Sequence, residues 1–178
     1  MTYNKRNKLI SLTISLVILL AISSLYCLSN LNNNAVYYSR YTPHSKDKNP
    51  ELTMVVSHLD KIELPSKKIY KLNLEGDNAL IFKKKYTIVE NNVIGKRMIN
   101  ILDSQLLNGN GFSYHFSTNG KYLFTINNQN WKKIKSASSK NEALMTITEI
   151  IDPIVKAQPK PKINLQWLFN WKYKDRFQ

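Results

Sequence analysis

Several common signatures are scarce or missing in this chain. Among 178 residues there is one cysteine, Cys27. That excludes an intramolecular disulfide framework and a cysteine-based zinc site. The five glycines are dispersed, so there is no glycine-rich phosphate loop. Arginine, the better bidentate reader of phosphate, occurs four times against 22 lysines. The three histidines, His44, His58 and His115, have no second His or Cys at ligand spacing. The 12 acids include no pair set out for glycosidase-like work. Glu75 and Asp77 flank a turn, and Glu149 and Asp152 end a helix. His115 between Ser113 and Ser117 lacks any nucleophile setting. None of the 21 asparagines heads an N-x-Ser/Thr sequon. These absences predict no enzyme, no cofactor and no metal.

Positive charge, by contrast, is abundant. Lys and Arg number 26 against 12 acids, a formal charge of +14. Such a balance invites a nucleic-acid partner. However, Lys, Asn and Ile together make up 61 residues, the joint bias of AT-rich coding. Lysine drift produces charge without a partner, so no nucleic acid is expected.

Leu9 to Leu28 is 20 residues without a charge, Pro or Gly. A helix of that length spans about 30 Å, one bilayer core. Leu9, Leu16, Leu20 and Leu28 represent its lipid-facing surface. Lys5, Arg6 and Lys8 precede it with no acid nearby, which keeps residues 1–8 in the cytoplasm and sends the rest across. The rival is a cleavable signal, with Ala21 and Ser23 at the −3 and −1 places. The apolar run continues through Leu25, Tyr26, Cys27 and Leu28, which favours a retained anchor. The expected divisions are a basic tail over 1–8, an anchor over 9–28, a stalk over 29–50 and an extracytoplasmic domain over 51–178.

The domain reads as α+β, a small antiparallel meander or partial barrel with about two helices. Short strands are expected over Leu52–Leu59, Lys68–Leu74, Ala79–Phe82 and Tyr86–Glu90, with a turn at Gly76. Val93–Leu107 recurs at three and four residues and predicts a helix. Phe112–Ile126 predicts a hairpin. A three-residue loop, Thr118-Asn119-Gly120, would pair Phe116 with Tyr122, Tyr114 with Phe124 and Phe112 with Ile126. All six large residues then share one face. A third strand follows over Trp131–Lys135. Ser139-Lys140-Asn141-Glu142 reads as a capping box opening a helix that Asp152-Pro153 stops. From Ile163 to Tyr173, six odd positions are large and apolar, and this alternation predicts a long amphipathic strand. That strand either closes the sheet and supplies core, or stays exposed to dock a partner or lie on anionic lipid; in the exposed case Trp167, Phe169, Trp171 and Tyr173, with Tyr114, Phe116 and Tyr122 of the hairpin, form the candidate partner face.

The layout of a basic tail at Met1–Lys8, one anchor at Leu9–Leu28 and a small β-rich outer domain resembles the ToxS-like proteins. These are the membrane-anchored periplasmic accessory proteins of ToxR-type regulators. The resemblance implies a bacterial inner-membrane protein whose outer domain stabilises a membrane-bound transcription regulator. It carries over no functional residue. The expectation is a non-enzymatic interaction protein in contact with the bilayer and with an envelope or membrane protein, homo-oligomers being possible. The alternatives are a part of a secretion or surface-appendage assembly, or a binder of anionic envelope polymer through Lys83-Lys84-Lys85 and Trp131-Lys132-Lys133.

Overall fold

Seven strands follow one another in space as they do in sequence. A computed structural model of the protein describes residues 2–74, 78–93, 96–104 and 111–178, without the side chains of 2–7, 9 and 93. The strands are β1 (Tyr70–Asn73), β2 (Ala79–Phe82), β3 (Tyr86–Val93), β4 (Lys96–Asp103), β5 (Phe112–Ser117), β6 (Tyr122–Asn127) and β7 (Lys132–Ile134). All neighbours are antiparallel, so the sheet is one continuous meander. Five helices accompany it: α1 (Thr2–Asn33), α2 (Ala35–Ser39), α3 (Pro50–Ser57), α4 (Ala137–Ala157) and α5 (Gln166–Phe177). The fold class is α+β.

Strand alternation builds the core. Cross-strand partners place Tyr70, Leu80, Phe82, Ile88, Ile99, Ile101, Tyr114 and Phe116 on one face. All are buried, packed with Ala143, Ile147, Ile150, Ile151 and Ile154 of α4. Tyrosine hydroxyls lock the layers together. Tyr70 donates to the Ile150 carbonyl (3.0 Å), Tyr114 to Glu142 (2.9 Å), and Tyr122 meets Ser139 Oγ at 2.9 Å.

The structure corrects several expectations. α4 starts at Ala137, because Ser136 caps it by accepting the Ser139 N–H at 3.1 Å. Nor does Pro153 stop α4, which runs on to Ala157. An internal proline costs about 3 kcal/mol. Burying Ile154 and Val155 beyond it returns roughly 1.5–3 kcal/mol each, which is enough to continue the helix. The apolar run at Leu52 is helix α3. Asn49 caps it by accepting the Leu52 N–H at 2.8 Å, and Pro50 opens it. The helix expected over Val93–Leu107 is strand β4 at Lys96–Asp103. Met98 to Leu102 faces neighbours on both sides of the sheet, and such a run shows no strand period. The remainder of that predicted helix, at 94–95 and 105–107, and the turn at Gly76 lie outside the described residues.

The hairpin follows the expected loop but not the expected register. The Gly120 N–H donates to the Ser117 carbonyl and the Ser117 N–H to Lys121, both at 2.9 Å, and Phe116 faces Tyr122. A bulge at Leu123 then shifts the ladder by one residue. Tyr114 pairs with Thr125 and Phe112 with Asn127, while Phe124 and Ile126 move to the second face. The single-face argument fails because both faces of this sheet hold apolar side chains.

The segment expected as a stalk is instead helical through Asn30–Ser39 and built into the core. Leu31, Ala35, Val36 and Tyr38 are buried. The C-terminal strand is also corrected: Gln166–Phe177 is helix α5. Leu165, Phe169, Tyr173 and Phe177 recur every four residues, a helical stripe that also falls on odd positions. Phe169 and Phe177 are fully buried. Tyr38 binds this segment to α1. Its hydroxyl donates to Asn30 Oδ1 (2.7 Å) and accepts the Leu165 N–H (3.1 Å), and Asn30 Nδ2 donates to the Ile163 carbonyl (3.3 Å). Tyr38→Phe should therefore cost about 1–3 kcal/mol, measured by urea unfolding in detergent, because it leaves buried Asn30 without its donor.

Gly120 touches a second element as well. It sits at φ +79°, and a Cβ there would lie 2.4 Å from the Asn49 carbonyl oxygen and 2.8 Å from Asn49 Cβ. The hairpin tip thus docks on the cap of α3, with the Asn49 N–H donating to the Asn119 carbonyl at 3.1 Å. Gly120→Ala should destabilise by more than the roughly 1–2 kcal/mol of left-handed strain alone. Gly111→Ala, at φ +93° but with its nearest contact at 3.2 Å, serves as the comparison in the same melts.

Candidate interaction surface

The apolar N-terminal run forms part of α1, and Ile10–Asn33 is long and apolar enough to cross a membrane. Leu16, Leu20 and Leu28 are exposed, as a lipid-facing surface requires. Lys8 is exposed ahead of them. Lys5 and Arg6 lie in the first turns of α1, with side chains outside the description, as is that of Leu9.

The seven aromatics expected to share a partner face do not do so. Tyr114, Phe116 and Phe169 are core residues. Tyr122 and Tyr173 are half-buried against the same core. Only Trp167 and Trp171 are open to solvent, on the outer side of α5. Burial accounts for the difference: Tyr114 and Tyr122 bond to α4, and Phe169 packs on Tyr38 of α2.

Another surface emerges on the opposite side of the sheet. Cross-strand pairing puts Ala79, Val89, Asn100, His115 and Phe124 in one row across β2 to β6. Ile81, Met98, Leu102, Ser113 and Ile126 flank that row on the same face. Among the described residues no helix packs here. Ile81, Leu102, Phe124 and Ile126 remain part-exposed. The centre is dry and polar: Asn100 is 2% exposed and His115 9%. His115 stacks on Phe124 with ring centroids 4.6 Å apart, and the Lys133 ammonium lies 3.9 Å from the Phe124 ring centre. Asn100 Nδ2 donates to Asn91 Oδ1, and Ser113 Oγ donates to Asn128 Oδ1 at 3.0 Å.

Four buried polar atoms on this face have no hydrogen-bond partner among the described residues. They are Asn100 Oδ1, Asn128 Nδ2 and both ring nitrogens of His115. An unmade bond at such an atom costs about 1–3 kcal/mol, a standing cost carried inside this face. Burial, aided by the nearby Lys133 charge, lowers the His115 pKa to about 4. The ring is neutral at pH 7, with one donor and one acceptor on offer. No spacing in the sequence marks these residues. A two-sided apolar pattern in β2 and β4 was their only trace.

Among the described residues no group of three or more His, Cys, Asp or Glu gathers to hold a metal ion. A cleft lined by Val56, Ser57, Asn78, Glu90, Asn91, Asn92 and Arg97 encloses about 710 Å³ and contains one acid and one arginine. The Lys83 ammonium is paired with Glu149 at 2.7 Å and lies over the Phe82 ring, and Lys85 lies over Tyr86.

No family model, curated protein or solved structure matches the chain. The surface is therefore read from its own residues.

The lowered pKa of His115 has a testable sign. Its folded value lies below the unfolded value of 6.5, so the unfolded chain takes up more protons as pH falls. Stability should be complete above about pH 6.5 and decline between pH 6.5 and 5. His58, also lowered by burial, adds to the slope. In urea melts at both pH values, His115→Gln should flatten this dependence more than His58→Gln does.

Proposed function

We propose that the chain is a non-enzymatic, single-pass protein of a bacterial inner membrane. Its N-terminus is cytoplasmic, and its outer domain binds and stabilises or regulates an envelope partner protein. A membrane-bound transcription regulator is the partner class that the ToxS-like layout favours. The observation that carries this reading is the second sheet face, where part-exposed Ile81, Leu102, Phe124 and Ile126 form an apolar surface with no helix packed on it among the described residues. A protein surface with apolar side chains of its own covers such a patch. Tethering both partners in one bilayer raises their effective concentration, so a modest interface suffices.

Docking through the face is favoured over strand addition at an edge. Edge strand β1 carries Lys71, and edge strand β7 carries Lys132 and Lys133, all exposed. Charged edges of this kind resist another strand.

Photo-crosslinking in native membranes, with benzoylphenylalanine at Phe124 or Ile81, tests the reading. One defined adduct that survives high salt is the expected result, since apolar contacts are little screened. A ladder of homo-oligomers would instead support the assembly alternative. Loss of adducts in high salt would support the anionic-polymer alternative.

A further inference from the structure

Two of the three tryptophans stand on the outer side of α5. Trp167 is 69% exposed and Trp171 74%, and they lie one turn apart. Lys172 and Lys174 of α5 and Lys160 and Lys162 ahead of it are exposed, as are Ile163 and, one turn beyond Trp171, the acid Asp175. The buried side of the same helix is held by Phe169 and Phe177. This is an amphipathic helix with an aromatic outer face and a basic border.

Its place in the fold is informative. The Ile163 carbonyl accepts from Asn30 Nδ2 at 3.3 Å and lies 3.2 Å from the Tyr38 hydroxyl. Asn30 is two residues beyond Leu28, the end of the apolar run, or about 3 Å along the helix. Beside this contact, Lys160 and Lys162 line one cleft together with Tyr26, Asn30 and Asn33 of α1. The tryptophan face is therefore anchored close to the point where α1 leaves its apolar stretch. Tryptophan and tyrosine favour the headgroup boundary, and lysines beside them favour anionic lipid. Tyr26 and Tyr41, both exposed, belong to the same region of the chain.

We propose that α5 is an interfacial helix that lays Trp167 and Trp171 into the headgroup layer of the bilayer crossed by α1. The proposal rests on α1 being membrane-embedded. The occupant of this face is the phospholipid surface, with Lys160, Lys162, Lys172 and Lys174 meeting its phosphates. The domain is then held at two points, the anchor and α5, and cannot swivel about α1.

The third tryptophan must be removed to read the other two. Trp131 is exposed between β6 and β7 at φ +56°, a backbone that asparagine accepts, so Trp131→Asn leaves the packing intact. The full-length Trp131→Asn chain is reconstituted into vesicles of phosphatidylcholine and phosphatidylglycerol, with and without bromine high on the acyl chains. Bromolipid should lower the tryptophan emission about twofold or more, as expected for rings at the acyl boundary. Carbonate extraction of the same vesicles reports separately on α1. A chain that resists carbonate but is not quenched overturns the α5 proposal and leaves the anchor standing. A chain released by carbonate overturns both. Rings unquenched in pure lipid but shielded from acrylamide in native membranes would assign the face to a protein and overturn the lipid proposal.

Discussion

The buried hydroxyl of Tyr38 is the point through which the two ends of the chain meet. It donates to Asn30 and accepts from Leu165, while its backbone carbonyl accepts from Gln166 Nε2 at 2.9 Å and its ring lies 5.4 Å from that of Phe169. Asn30 belongs to the helix that carries the apolar run, and Leu165 and Phe169 to the C-terminal segment. Neither segment could bury its polar backbone here without the other, because an orphaned amide in a dry site costs as much as several ordinary contacts contribute. One aromatic residue thus turns what would be a loose connection into part of the core.

That constraint explains why some elements were legible in the sequence and others were not. The hairpin turn at Asn119-Gly120, the strands at Ala79–Phe82 and Tyr86–Glu90, and the membrane-length run all declare themselves locally. Turn chemistry, β-branched residues and the absence of charge act within a few residues. The polar stretch from Ser29 to Pro50 was misleading because its burial depends on partners more than 120 residues away, such as Ile163 and Leu165. Composition alone describes it as linker. The C-terminal segment was misleading for a different reason: Leu165, Phe169, Tyr173 and Phe177 satisfy a period of four and a period of two at once. Tertiary contact with Tyr38 decided between them.

The candidate surface was legible only in part. Trp167 and Trp171 were singled out, and they are open to solvent. Their expected companions Tyr114 and Phe116 belong to the core, because their face of the sheet is the one packed with α4, and the bulge at Leu123 moves only Phe124 and Ile126 to the other face. Burial on one face is the rule that selects register where the other face is polar. A sheet with apolar residues on both faces does not obey it. Asn100 and His115, the buried polar centre of the second face, look like ordinary surface residues in a linear reading. Only the cross-strand pairing brings them together.

The two exposed features have different physical consequences. The tryptophan face belongs to α5 and is tied directly to the end of α1, so anything it contacts restrains the whole domain relative to the anchor. The Asn100–His115 face belongs to the sheet, across the core from α4. Because Tyr38, Gly120 and Arg176 link α2, α5, α3 and the hairpin tip, with Arg176 donating to the Thr118 carbonyl at 2.6 Å, no hinge separates the sheet from the anchor along this route. With α1 in a bilayer, as proposed, a domain held in this way would present its second face at a fixed angle to that bilayer. On the proposed function, a partner confined to the same membrane would lose little orientational freedom on docking, and that saving, rather than a large interface, would be what the architecture contributes to affinity.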